Sequence, residues 1–298
     1  MIESCLRPEM VAEITLQPVR RHHVDAAIFF SDIMIPLTLA GVDLTIEAGI
    51  GPVIANPVKS AADVDALVAR EAGDHAPITQ AISLIVGDLP QEIPLIGFAG
   101  APFTLAAYLV EGRPSRDHLG ARTMMHADPQ SWSKLLSWCA DISTTFLKNQ
   151  VDAGARAVQL FDSWAGSLGY EDYVRHVAPY SAQVLGALAG HGVPRIHFGT
   201  GTSEILMPMR DAGADVIGVD YRLGLDEANR RLGGNTPLQG NINPAFLDAP
   251  WEVLEAHVRD VVERGRQAPA HVVNLGHGVP PHTDPATLTR IVELVHEL

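Results

Sequence analysis

Seven short apolar runs, alternating with helical patterns along the whole chain, predict an α/β fold: a (β/α)8 TIM-type barrel that lacks its first strand. The runs are residues 25–30, 94–99, 157–161, 194–198, 215–219, 236–239 and 270–275, each bounded by Gly, Pro, Asn or Asp. Their hydrophobicity is nearly continuous rather than alternating, which marks strands covered on both faces, as in a parallel sheet flanked by helices. An open doubly wound sheet would carry a glycine-rich phosphate turn, and Gly199-Thr200-Gly201-Thr202-Ser203-Glu204 lacks the third glycine of that pattern. Closure is the better fit, and seven strands then leave an unpaired edge on each side of a gap.

Taken in order, residues 2–17 read as a helix starting near Ser4 with no strand ahead of it, so an amino-terminal truncation is expected. The strand at 25–30 runs into Ser31-Asp32, and helical spacing follows over 61–72. The strand at 94–99 ends at Gly100-Ala101-Pro102, which opens the helix that carries Tyr108. Asp128-Pro129 is a helix entry and Gly154 a stop, framing a helix over 129–153 before the strand at 157–161. Further helices are expected over 170–190, 203–212, 225–232 and 250–266, with Gly213 and Gly265 as stops and Asn243-Pro244 as an entry. The last strand closes on Asn274-Leu275-Gly276-His277-Gly278, a flexible turn carrying an imidazole. No repeat, low-complexity tract or Ser/Gly linker divides the chain, and residues 1–298 are expected to form a single domain.

Composition narrows the functional classes. Hydrophobic residues make up 47% and charged ones 19%, a balance that argues against long disorder. No apolar run reaches the ~18 residues of a membrane helix, and Met1-Ile2-Glu3-Ser4 does not open a secretory signal, which points to the cytoplasm. Cys5 and Cys139 cannot make a disulfide framework or a zinc cluster and read as small buried hydrophobes. The 21 basic and 35 acidic residues leave a net charge of −14, which disfavours nucleic acid as a partner. An anionic substrate would also be repelled at long range, so its site would need cations gathered locally. The histidines at 22, 23, 197 and 282 form no metal-ligand pattern.

Four polar side chains stand at or just beyond strand ends: Asp32, Tyr108, Ser163 and His277. Each has a plain alternative. Asp32 could cap the helix beginning at Ile33-Met34, Tyr108 could be a packed aromatic with a satisfied hydroxyl, Ser163 could be a capping serine, and His277 could be structural. Against the first, a carboxylate beside a buried apolar strand is costly unless it is paired or used.

The segments around these residues closely resemble the uroporphyrinogen decarboxylase family, whose members trim the four acetate side chains of a tetrapyrrole. The resemblance runs through Leu16-Gln17-Pro18-Val19-Arg20-Arg21, Asp25-Ala26-Ala27-Ile28 and Phe30-Ser31-Asp32-Ile33. It continues through Ile96-Gly97-Phe98-Ala99-Gly100-Ala101-Pro102-Phe103-Thr104, Tyr108-Leu109-Val110-Glu111-Gly112 and Gln159-Leu160-Phe161-Asp162-Ser163-Trp164-Ala165-Gly166. Leu238-Gln239-Gly240-Asn241 and the Asn274–Gly278 turn complete it, in the family's order and over nearly the whole chain. It implies a (β/α)8 barrel, a homodimer and a reaction that needs no metal or other cofactor. The family normally begins with a strand and loop close to Met-Arg-Gln-Ala-Gly-Arg, whose arginines meet substrate carboxylates, and no such segment occurs here. Arg20 and Arg21 belong to the later segment and read as a solvated helix end.

The resemblance also assigns roles. Decarboxylating an acetate arm needs a place for two electrons, and a pyrrole ring protonated at carbon can accept them. A fixed carboxylate near the pyrrole N–H groups would stabilise the developing cation. The resemblance gives that role to Asp32, with Tyr108, Ser163 and His277 contacting substrate, Asp162 as structural support, and Phe98 and Phe161 as pocket wall or ordinary core. Two other readings are compatible with the chain. One is a cobalamin- or thiol-linked methyltransferase of the same superfamily, whose zinc-binding His-x-Cys motif is missing here; the other is a non-catalytic truncated barrel.

Overall fold

The computed structural model describes residues 1–47 and 49–298. Among them nine strands form: β1 (Ala27–Ile28), β2 (Leu44–Glu47), β3 (Gly51–Ile54), β4 (Leu95–Gly100), β5 (Ala157–Phe161), β6 (Arg195–Phe198), β7 (Val216–Gly218), β8 (Leu238–Gln239) and β9 (His271–Val272). β2 and β3 pair as a separate antiparallel hairpin, and the other seven make one sheet in the order β1-β4-β5-β6-β7-β8-β9. Every pairing in that sheet is parallel. Each of the seven apolar runs therefore contributes one strand, in chain order.

Register gives the sheet two distinct faces. Ala27, Leu95, Ala99, Val158, Leu160, His197, Ile217 and Leu238 point to the face covered by helices and are almost wholly buried. Ile28, Ile96, Phe98, Gln159, Phe161, Phe198, Gln239 and Val272 share the other. On that second face the Gln239 amide donates to Gln159 Oε1 at 3.0 Å, although three strand steps separate β5 from β8. In a flat sheet those strands would lie about 14 Å apart, with their side chains parallel and unable to meet. The sheet is curled, with the glutamines inside the curl.

The curl does not close into the expected barrel. β1 and β9 are its two edges, and their inward residues Ile28 and Val272 are 44% and 50% exposed, while Phe98 and Ile196 in the middle are 7% and 5%. The helical layer, by contrast, continues across the opening. The Pro285–Glu297 helix reaches the Pro8–His22 helix through a 2.8 Å His22–Thr289 hydrogen bond and the start of β1 through His296 and Asp25 at 3.1 Å.

The helices follow the sequence with instructive exceptions. The first helical stretch is two helices, Ile2–Cys5 and Pro8–His22, and the second runs straight through Pro18. Pro18 faces solvent and removes only one helical hydrogen bond, whereas the stripe Val11, Ala12, Thr15, Leu16 and Val19 is buried. Arg20 and Arg21 sit in its exposed last turn, where cations suit the helix dipole. The stretch expected over 170–190 breaks at Val177 into Tyr170–His176 and Ala178–Gly186, because Pro179 restarts the helix. The Pro129–Asp152 helix is capped by Asp128, which accepts from Ser131 N–H. Near its end Gln150 accepts from Phe98 N–H and donates to Phe98 C=O, at 2.8 and 2.9 Å, binding the helix to β4. That approach requires Gly97, since a Cβ there would stand 2.5 Å from Gln150 Oε1.

Candidate functional site

Parallel strands all end on one side of a sheet, so the segments leaving β1, β4, β5 and β9 share its carboxyl rim. Asp32, Tyr108, Ser163 and His277 belong to those segments. Their surroundings differ sharply.

Asp32 is partly buried four residues beyond β1. Its Oδ1 accepts the Met34 amide at 2.8 Å and its backbone carbonyl accepts Ile35 N–H, so it does hold the turn into the Ile35–Leu39 helix. That bond uses one oxygen. Burial pushes the Asp32 carboxyl above the usual carboxylate range, against the opposing pull of the Met34 amide. Among the described residues it makes no salt bridge, although the charge of the Met1 ammonium adds a further downward pull. A half-buried carboxylate with one oxygen unengaged is held in a costly state.

Tyr108 lies on the second turn of the Pro102–Glu111 helix, whose first nine residues are all buried. Its ring is only 9% exposed and stacks on Trp164 with centroids 3.8 Å apart. Burial, and next the charge of Asp32, push its hydroxyl up to about 12, which places the two groups within electrostatic reach of each other. Among the described residues the hydroxyl has no hydrogen-bond partner, unlike the satisfied hydroxyl of an ordinary packed tyrosine. Trp164 in turn lies 4.3 Å from His118, whose Nδ1 is 3.1 Å from Ser167 Oγ. This stack of Tyr108, Trp164 and His118 was not anticipated from sequence. Trp164 did carry a signal, its place one residue after Ser163 at a strand end.

Ser163 is half-buried, and its carbonyl accepts from Thr200 Oγ1 at 2.6 Å. The strand alternation carries past β5: Phe161 points into the curl, Asp162 points out under the helices, and Ser163 turns back to the rim. Asp162 is fully buried, accepts from Thr104 Oγ1 at 3.1 Å, and turns its Oδ2 toward His197 Nε2, 3.7 Å away. His197, given no role from sequence, therefore backs the residue next to Ser163.

His277 is exposed beyond β9, with Nδ1 accepting Gly278 N–H at 2.8 Å. The structure brings Asp32 and Tyr108 together and joins Ser163 to Tyr108 through Trp164; it records no contact from His277 to the other three among the described residues. Gly276 does require the absence of a side chain, but the group it approaches is the backbone of Tyr221, not an open site. Gly278 has open space around it.

Two features complete the rim. Phe98, Phe161 and Phe198 face into the curl as an edge-to-face series, with centroids 5.3 and 5.8 Å apart, giving the interior an aromatic lining. Among the segments that directly follow the seven sheet strands, the one Lys or Arg is Arg222, and its guanidinium is engaged by the buried Asp220 carboxylate. Both cysteines are buried, and burial raises the thiol of each, that of Cys5 to about 11.

The family model for uroporphyrinogen decarboxylase (URO-D) matches residues 1–298. The chain belongs to the uroporphyrinogen decarboxylase family. A protein of that name from Arthrobacter sp. (strain FB24) is 65% identical over 298 residues, covering 100% of this chain and 86% of that one. One from Leifsonia xyli subsp. xyli (strain CTCB07) is 58% identical, covering 99% and 84%. Among solved structures, a methyltransferase from Methanosarcina mazei superposes with a TM-score of 0.83 at 18% identity, covering 99% of this chain and 87% of that one. A B12-independent methionine synthase from Shewanella sp. W3-18-1 gives 0.64 at 12% identity, covering 96% and 86%. At such identities these structures share the fold alone; the uroporphyrinogen decarboxylase family is set by the sequence relatives.

Proposed function

We propose that the chain catalyses decarboxylation of the four acetate arms of uroporphyrinogen III, giving coproporphyrinogen III for haem and related tetrapyrroles. The observation that carries this reading is Asp32, a carboxylate raised by burial, with one oxygen free, in electrostatic reach of the unpartnered Tyr108 hydroxyl. The names of the family relatives at 65% and 58% identity support it, and favour it over a methyltransferase or an inert barrel.

In this reading the pyrrole N–H groups donate to Asp32. A proton adds to the ring carbon beside the acetate-bearing carbon, making a cation that the Asp32 carboxylate stabilises. The bond to the carboxylate then breaks, CO2 leaves, and its electron pair forms an exocyclic C=C bond that neutralises the ring. A proton added to that methylene makes the methyl group, and loss of the first proton restores the pyrrole. The ring itself is the electron sink, so the step calls on no cofactor. Tyr108 and Ser163 donate to carboxylates of the substrate, His277 pairs with another, and the inward phenylalanines pack against the macrocycle.

The same reading includes closure of the sheet. A strand seated between β1 and β9 would pair both edges, cover Ile28 and Val272, and complete a (β/α)8 barrel formed by one domain. Cations on that strand would supply what the rim lacks, since Arg222 is already engaged by Asp220. We place this enzyme in the cytoplasm, in line with the lack of a membrane-length apolar run, and as a homodimer on the family resemblance; sedimentation would test the dimer. No helix among the described residues is long and apolar enough to cross a membrane.

Anaerobic incubation with uroporphyrinogen III, with products separated by carboxylate number, tests the activity. The 298 residues alone should turn over at least tenfold more slowly than a version extended before Met1 by an arginine-bearing strand, because each charge-assisted carboxylate contact is worth ~1.5–3 kcal/mol. Equal rates would refute the need for that strand. Eight intact carboxylates with both versions would refute the activity.

A further inference from the structure

We infer that His126, Asp172 and His176 form a binding site for one divalent transition-metal ion of the zinc, nickel or copper class, on the outer surface and apart from the carboxyl rim. His126 lies in the last turn of the Leu119–Ala127 helix. Asp172 and His176 are four residues apart on the Tyr170–His176 helix and so share one face of it. The two helices bring one ligand atom from each residue to within 4.8 Å of the others. His126 Nε2 and Asp172 Oδ2 are already 3.4 Å apart, and the two imidazole rings lie 5.7 Å apart and nearly perpendicular. A tetrahedral ion with bonds of ~2.1 Å holds its ligand atoms about 3.4 Å from one another, so one edge is formed and the rest require only side-chain rotation. The His126 side chain is 56% exposed and Asp172 27%, which leaves them free to make that adjustment.

The donor set selects the ion. Two imidazoles and a carboxylate suit zinc, nickel and copper, whereas magnesium and calcium favour all-oxygen sites. His126 also lines an open surface hollow with Leu119, Arg122 and Thr123. Arg122 and Arg175 lie nearby, and their charge limits the affinity without blocking the three ligand atoms. A bound ion would tie the helix that starts behind Trp164 at His118 to the helix that follows the Ser163–Trp164 turn.

The competing account of the same residues is a plain His126–Asp172 ion pair, in which His176 has no part. Calorimetric titration of the metal-stripped 298-residue protein with Zn2+ separates the two. The site predicts one equivalent bound, a Tm that rises with Zn2+ and is unmoved by Mg2+, and at least about tenfold weaker binding in both His126→Ala and His176→Ala. His282→Ala and His296→Ala, which remove histidines each paired with a single aspartate, should bind Zn2+ as the parent does. Apo-state melting of each variant establishes that it folds, and Co2+ titration followed by visible absorption reads the ligand field directly. Absence of a one-to-one complex in the parent overturns the site, as does binding that survives His126→Ala and His176→Ala combined.

Discussion

Asp162 follows β5 and is shut under the helices, whereas Asp32 follows β1 and stands at the mouth of the curl. Asp162 gives one oxygen to Thr104 Oγ1 at 3.1 Å, and its other, buried oxygen faces His197 Nε2 at 3.7 Å without a hydrogen bond. Asp32 spends one oxygen on Met34 N–H and keeps the other, with no salt bridge among the described residues and only the charge of the Met1 ammonium acting on it. A carboxylate shut away from solvent among protein groups can serve only the scaffold, while one held half-solvated at the mouth of the sheet is available to a ligand. The two acids are distinguished by what surrounds them, and each substitution should therefore show in a different measurement.

The largest effect is expected at Asp32. Asp32→Asn keeps the oxygen that accepts from Met34 and removes the charge, so the fold should persist while kcat falls about 10³-fold, or ~4 kcal/mol of transition-state stabilisation. Single-turnover decarboxylation measures it, and activity within tenfold of the parent would erase the proposed contrast. Asp162→Ala should act the other way. It removes the acceptor of Thr104 and leaves a gap beside buried His197, and should cost ~3 kcal/mol of stability, read as a lower urea midpoint at unchanged slope.

This contrast also sets how far the sequence could be read. The seven sheet strands were legible because continuous apolar runs between Gly and Pro need burial on both faces, a local demand. The β2–β3 hairpin was not, since Pro52 lies inside β3 and, of the two strands, only β2 alternates, between half-buried and exposed. Helix breaks were misjudged where burial outweighed local preference, as at Pro18. Asp32 and Tyr108 were recoverable from their places after strands together with the family motifs. His197 and His118 were not, because their partners Asp162 and Trp164 lie 35 and 46 residues away in sequence and only the folded sheet brings them together. The tight approach of Gly276 to the Tyr221 backbone was not legible either, since spacing alone does not say which backbone comes near.

Tyr108 sharpens the comparison at smaller scale. Its ring belongs to the scaffold through the Trp164 stack, and its hydroxyl belongs to the site. Tyr108→Phe should therefore leave the urea midpoint in place and lower kcat/KM about tenfold, the ~1.4 kcal/mol of one lost hydrogen bond to substrate. A stability loss with full activity would make the hydroxyl structural after all.

The smallest effect concerns pH. Asp32 binds its proton more tightly in the folded protein than at the ordinary value of 3.8, because burial disfavours its charge. Between that value and its raised folded value the native state holds more protons than the unfolded chain, so this residue's contribution to stability declines as pH rises through the window. Asp32→Asn carries no charge to bury and escapes the decline. The difference in urea midpoint between the Asn variant and the parent should be near its minimum at acid pH, grow in the variant's favour through the window, and then level off at neutral pH. The parent's activity should show the same ionisation from the other side, with an acid limb displaced above the usual carboxylate range, since only the ionised form stabilises the cation. A midpoint difference that does not change with pH would mean that Asp32 is as well solvated as a surface carboxylate, and its resemblance to a group held ready for substrate would be lost.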